Sequence, residues 1–266
     1  MGLNVKRLLA PRYSWGIFGA MLVVTLHVAV VLTRDARYLD GVRVDQTAIL
    51  AWIGFGANIT STQIFYYLLP VFAALGPGRA IIEDFTSGFA RHLVQHHPGR
   101  YLAQNIGISC LVGLVTAVGA LIVDLLFSML LLPNLQPDAV LDYGFSVSAD
   151  YTYFTHLFFS GHALLVIGFY IILAGVITAG FTLFEMLVGL ITLNMYGAMV
   201  APMVGGLLLT VGATSMPHLV VSPVAAMIGD SPNPVPQLTS LLLGLACSYV
   251  LLIGGIIGAF WWRTTK

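Results

Sequence analysis

HALLVIGFYIILAGVITAGFTLFEMLVGLITLNMYGAMVAPMVGGLLLTV, residues 162–211, carries a single formal charge, Glu185. As one continuous helix this run would extend about 75 Å, more than twice the roughly 30 Å hydrocarbon core of a bilayer. It must therefore cross twice. A turn is expected at Leu193-Asn194-Met195-Tyr196, where the apolar pattern slackens, with Thr182–Glu185 as the alternative. The whole chain shares this character. Of its 266 residues 58% are hydrophobic and 8% charged, and its mean hydropathy is +0.93. Soluble domains carry about 25% charged residues, so lipid is the main solvent here. Zero net charge and the lack of a basic run argue against nucleic-acid binding.

Spans of about 20 apolar residues are expected near 15–32, 59–75, 103–132, 162–185, 190–211 and 238–261. The expected fold is an all-α polytopic membrane protein, one transmembrane domain over residues 1–266. Six crossings put both termini on the side of the 76–102 loop. That side holds Lys6, Arg7, Arg12, Arg79, Arg91, Arg100, Arg263 and Lys266, against Arg34, Arg37 and Arg43 on the other. The positive-inside rule then makes the termini cytoplasmic in a multi-pass protein of the cell membrane. Trp15, Trp261 and Trp262 fall at inner boundaries, as interfacial anchors. Lys6-Arg7 before an apolar run has the look of a signal peptide, but no small-x-small site follows, so an uncleaved first span is expected. The outer stretches 133–161 and 212–237 are proline-rich and read as exposed turns or short interfacial helices. Met216–Ile228 is apolar enough to dip into the bilayer.

Between the second and third spans lies AIIEDFTSGFARHLVQHHPGRY, residues 80–101. On a helix near 80–97, Ile82, Phe85, Phe89 and Leu93 form an apolar stripe opposite Asp84, Ser87, Arg91 and Gln95. His97-Pro98-Gly99 then ends it. Such a helix lies in the inner membrane surface, where a soluble partner can push or pull on the spans.

Candidate chemistry is sparse. Asp124 is the acid clearly inside a span, a functional candidate by default. Counted along its helix it falls near the outer boundary, within reach of water, which favours an interfacial structural role over ion coupling. Glu185 is expected close to the inner surface. Cys110 and Cys247 read as buried small hydrophobes. His92 and His96 share a helix face, with His97, Glu83 and Asp84 nearby, but no carboxylate at metalloprotease spacing accompanies them. Ser160-Gly161-His162 matches one element of lipid phosphate phosphatases without their basic motif or later nucleophilic histidine. No phosphate-cradling P-loop occurs. Thr60, Thr62, Gln63, Asn105, Ser109 and Thr116 are polar positions suited to helix packing or to a pathway. Pro70 and Pro202 each interrupt a span and are expected to kink it.

Leu69-Pro70, then EDFTSGFARHLVQHHPGRYLAQN, then LITLNMYGAMVAPMV, carry a resemblance. Their order resembles membrane subunits of ATP-binding-cassette (ABC) transporters, in the type-two permease family that includes bacteriocin and lantibiotic self-protection exporters and drug exporters. The resemblance implies that Glu83, Asp84, Ser87, Gly88, Phe89 and Arg91 lie on a coupling helix that docks a separate ATPase. It implies two ATPase subunits and a second permease, identical or paralogous. ATP and magnesium would bind the ATPase, and this chain would bind no cofactor or metal. The expected function is export of an amphipathic or hydrophobic cargo such as a peptide, antibiotic or drug-like compound. A polytopic membrane enzyme or an accessory anchor without its own pathway are the alternatives.

Overall fold

The computed structural model describes residues 15–37, 47–55, 59–76, 78–89, 97–137, 152–216, 221–229 and 235–265. Helices account for nearly all of them, with no strand among the described residues. Among the described residues six helical segments are long and apolar enough to cross a membrane: α1 (Trp15–Arg37), the segment Thr60–Thr86, which holds most of α3 (Ile59–Ala74) together with the short helix after it, α5 (Pro98–Leu131), α6 (Thr155–Thr192), α7 (Met195–Ser215) and α9 (Leu238–Thr264). Three shorter helices, α2 (Ala48–Ala51), α4 (Gly78–Thr86) and α8 (Pro223–Met227), sit at the ends of the bundle.

The break between α6 and α7 falls at Leu193-Asn194. Leu193 takes a left-handed conformation at φ 51°. Asn194 then caps α7, its Oδ1 accepting from the N–H groups of Tyr196 and Gly197 at 3.0 and 3.2 Å. Thr182 and Glu185 lie well inside α6. Pro98-Gly99, expected to end a helix, begins one. Pro98 occupies the first turn of α5, where its missing N–H is no loss. Pro70 and Pro202 lie within continuous helices.

α6 is the central element and packs on α3, α4, α5, α7 and α9. Against α5 the approach is close because both helices present glycine. A Cβ on Gly113 would lie 3.0 Å from the Ala179 Cα, and one on Gly175 would lie 2.6 Å from the Val118 side chain. In lipid this is the expected device, since helix association there relies on packing and hydrogen bonds rather than on expulsion of water. The outward faces are apolar: Leu22, Leu26, Leu130, Leu165, Leu208 and Leu251 are all exposed. Those surfaces suit hydrocarbon.

At the end away from α4, parts of the connecting segments pack into the bundle, among them the short helix α8, while residues 133–136 are exposed. Residues 47–55, Val224, Ala226, Met227 and Ile228 are buried, and the Gly229 N–H donates to the Gly54 carbonyl at 2.9 Å. Phe55 stacks on Phe158 with centroids 4.4 Å apart. The reason is compositional. Ala48–Phe55 and Pro223–Ile228 are apolar, and neighbouring helices supply partners for their backbone groups. Tyr153 joins this cap: its hydroxyl donates to the Pro236 carbonyl at 2.8 Å, and burial pushes its pKa up to about 12.

Candidate functional site

At one end α4 lies against α5, α6 and α9. Its buried face is formed by Gly78, Ile81 and Ile82, with Phe85 edge-on to Phe260 of α9 at 5.8 Å. Ile82 reaches the position where a Cβ on Gly189 of α6 would stand, 2.2 Å from its Cδ1. Asp84 is also buried, accepting from the Tyr101 hydroxyl of α5 at 2.7 Å. The expected polar placement of Asp84 is thereby corrected. A stripe centred on Ile82 leaves it on the far side, but Ile81 widens the buried face, and Asp84 stands one turn from Ile81.

Arg79 and Glu83 pair at 3.2 Å on the partly exposed side. The helix is shorter than the expected 80–97. It ends at Thr86, and Gly88 takes φ 76°, a conformation that favours glycine. Phe89, past that reversal, leaves the apolar stripe and is exposed, as is Ser87. Arg91, His92, Leu93, Gln95 and His96 lie outside the described residues.

A second polar centre is buried near the opposite end. Asp124 of α5 accepts from the Ile53 N–H through Oδ2 at 2.9 Å, and its Oδ1 lies 2.8 Å from Nδ1 of His27 on α1. Both side chains are fully buried. The expectation that water reaches Asp124 fails, because residues 47–55 fold over it. The same segment is pinned twice more: Trp52 Nε1 donates to the Leu121 carbonyl at 3.0 Å, and the Thr62 hydroxyl donates to the Ile53 carbonyl at 2.7 Å. His27 Nε2 and the Tyr66 hydroxyl have no hydrogen-bond partner among the described residues. The pair joins α1 to α5. Sequence reasoning did not single out His27. Its signal was available: an ionisable residue mid-span, placed just before a π-helical turn at Val28–Leu32.

The remaining polar positions divide. Thr60 is exposed and Gln63 half-buried, while Thr62, Asn105, Ser109 and Thr116 are buried. Asn105, Ser109 and Thr116 share the face of α5 that meets α6, where Thr182 Oγ1 donates to the Ser109 carbonyl at 3.1 Å. Glu185 continues this seam on α6. It is fully buried rather than facing the surface, and neither of its oxygens has a partner among the described residues. Ser160 and His162 stand 3.4 Å apart on an exposed π-turn. Cys110 is half-buried and Cys247 exposed, so the expected burial of Cys247 does not hold. Among the described residues no three His, Cys, Asp or Glu side chains gather as a metal site.

No protein-family model matches this sequence, and no curated protein or solved structure does.

Proposed function

We propose that the chain is the membrane-spanning permease subunit of an ATP-driven ABC exporter. In this reading it works with two copies of a separate ATPase and a second permease, and moves an amphipathic or hydrophobic cargo out of the cell. The α4 end and the termini face the cytoplasm, as the eight-to-three distribution of basic residues favours. The observation that carries the reading is the mounting of α4. One nine-residue amphipathic helix, which also lies against α7, holds three spans through its side chains: Asp84 holds Tyr101 of α5, Ile82 fills the space at Gly189 of α6, and Phe85 packs on Phe260 of α9. A force applied to α4 is therefore delivered to all three together.

The division of labour within α4 follows from its burial. Asp84 transmits, being occupied inside the protein, while Glu83, Ser87, Gly88 and Phe89 lie toward the end where an ATPase docks. Arg91 belongs to the same expected surface. The cargo preference rests on the spans, which present apolar faces to lipid and hydroxyl or amide groups within, a surface suited to a molecule taken from the bilayer.

Co-purification with a cassette ATPase and ATP-dependent efflux in inverted vesicles test the reading. Ser87→Trp with Phe89→Glu, both on exposed positions, should abolish ATPase capture while leaving the thermal unfolding of the chain alone unchanged. Undiminished capture by that variant sinks the docking assignment. Capture without transport in the native complex leaves an anchoring subunit.

A further inference from the structure

Glu185 of α6 is fully buried, and neither of its carboxyl oxygens has a hydrogen-bond partner among the described residues. What it meets is the start of α4. A Cβ on Gly78, the first residue of that helix, would lie 2.6 Å from Glu185 Oε2. The first N–H groups of a helix have no partner within it and carry the positive end of its dipole. Arg79 follows directly, and its charge acts on the Glu185 carboxyl. One bond back to the Gly78 Cα, and the roughly 3.8 Å between consecutive Cα atoms, put the Arg79 Cα within about 8 Å of Oε2. That is inside the span of an extended arginine side chain and one hydrogen bond.

In the arrangement described, the guanidinium is turned elsewhere. Among the described residues Arg79 gives only its Nε, to Glu83 at 3.2 Å, in a pair whose side chains are 28% and 31% exposed. Such a pair is weak and readily exchanged. A carboxylate without a counter-charge is strongly disfavoured in a membrane interior, so Glu185 is neutral while Arg79 stays on Glu83. No other charged group competes for it. On α4 Asp84 takes the Tyr101 hydroxyl of α5, and on α9 Arg263 donates to the carbonyls of Leu190 and Ile191. Tyr249 of α9 donates to the Val176 carbonyl, more than two turns away along α6. The remaining groups from α5 are Cys110, half-buried, and Arg100, exposed; α7 offers only Tyr196, also exposed, and α3 only Tyr66 and Tyr67, about two turns before its end.

We infer that Glu185 is a proton-linked latch for α4: on releasing its proton to the water at the α4 end, it takes Arg79 from Glu83 and draws the start of α4 onto α6. Only the carboxyl O–H breaks, and the guanidinium together with the helix N-terminus balances the new carboxylate. Proton uptake returns Arg79 to Glu83 and frees the helix. For an ATPase docked on α4, the pH at that end then sets how firmly its handle is seated. That consequence rests on the exporter reading, whereas the latch itself does not.

The test uses the full chain alone in lipid nanodiscs, without an ATPase. Infrared difference spectra follow the carbonyl stretch of buried carboxylic acid as pH is raised from about 5 to about 9. One such band should disappear, and Glu185→Gln should lack it. Arg79→Gln removes the counter-charge and should move the midpoint up by at least about one pH unit, with partial recovery in Arg79→Lys. Glu83→Gln frees Arg79 and should move the midpoint down. Spin labels on Ser87→Cys of α4 and Tyr196→Cys of α7, both exposed positions, report the seat once Cys110 and Cys247 are changed to serine. Their separation should change at the midpoint of the band and stay fixed in Arg79→Gln. If Glu185→Gln fails to fold, the Arg79 and Glu83 variants, at partly exposed positions, decide by their midpoints. The absence of a titrating band overturns the latch, as does a midpoint that Arg79→Gln leaves in place. A separation that ignores pH overturns it even where Glu185 titrates. Failure to capture an ATPase would remove the exporter reading and leave the titration standing.

Discussion

Replacing His27 by leucine takes the partner from a carboxylate that no water reaches. Asp124 keeps only the Ile53 N–H, and an uncompensated charge of this kind costs about 3–5 kcal/mol. Asp124→Leu instead strands two groups, His27 and the Ile53 N–H, at about 1–3 kcal/mol each. The double variant His27→Leu/Asp124→Leu leaves only the Ile53 N–H without a partner, about 1–3 kcal/mol. Its destabilisation should therefore fall short of the sum of the singles by about 4–8 kcal/mol, the cost of the uncompensated carboxylate together with that of the stranded His27. Unfolding by denaturing detergent from mixed micelles measures all four corners of the cycle. A second readout follows the segment that Asp124 pins. With Cys110 and Cys247 changed to serine, Ala51→Cys should resist a membrane-impermeant maleimide in the native background and react in either single variant, as residues 47–55 lift away. Additivity within about 0.5 kcal/mol would refute the pairing. Continued protection of position 51 in both singles would refute the anchoring.

Gly113→Leu forces a side chain against the Ala179 backbone, where a Cβ alone would sit at 3.0 Å; overpacking of this kind costs about 1–3 kcal/mol, measurable as a lower unfolding temperature, and Gly99→Leu, whose Cβ would meet nothing within 4 Å, should leave that temperature nearly unchanged. Tyr101→Phe removes the hydroxyl that Asp84 accepts from and should cost about 1.5–3 kcal/mol if the carboxylate is ionised, while Glu83→Gln, part of a half-exposed pair, should change stability by less than about 1 kcal/mol. Tyr153 binds its proton more tightly folded, at about 12, than unfolded. Its contribution is thus complete below about pH 10 and is lost as pH rises toward 12, by up to about 1.4 kcal/mol per unit. Tyr153→Phe should flatten that alkaline limb of unfolding temperature against pH, and an unchanged limb would reject the assignment.

The crossings are legible in the chain because lipid leaves the backbone little choice: apolar runs of the right length become helices, and the stretch 162–211, charged only at Glu185, has to turn back. The turn at Leu193-Asn194 is local chemistry too, an asparagine cap after a residue released into the left-handed region. What tertiary structure decided is which polar groups meet. Asp124 reads from its helix position as water-accessible, and only the return of residues 47–55 encloses it with His27, 97 residues away in sequence. Asp84 reads as outward from a helical wheel, and only the placement of Tyr101 turns it inward. Glu185 reads as an acid close to the inner surface, and only the packing of α4 onto α6 buries it, with its Oε2 against Gly78. Periodicity reports how one helix divides between two surroundings. It carries no information about which neighbour supplies those surroundings, because that is fixed by packing between segments far apart in the chain.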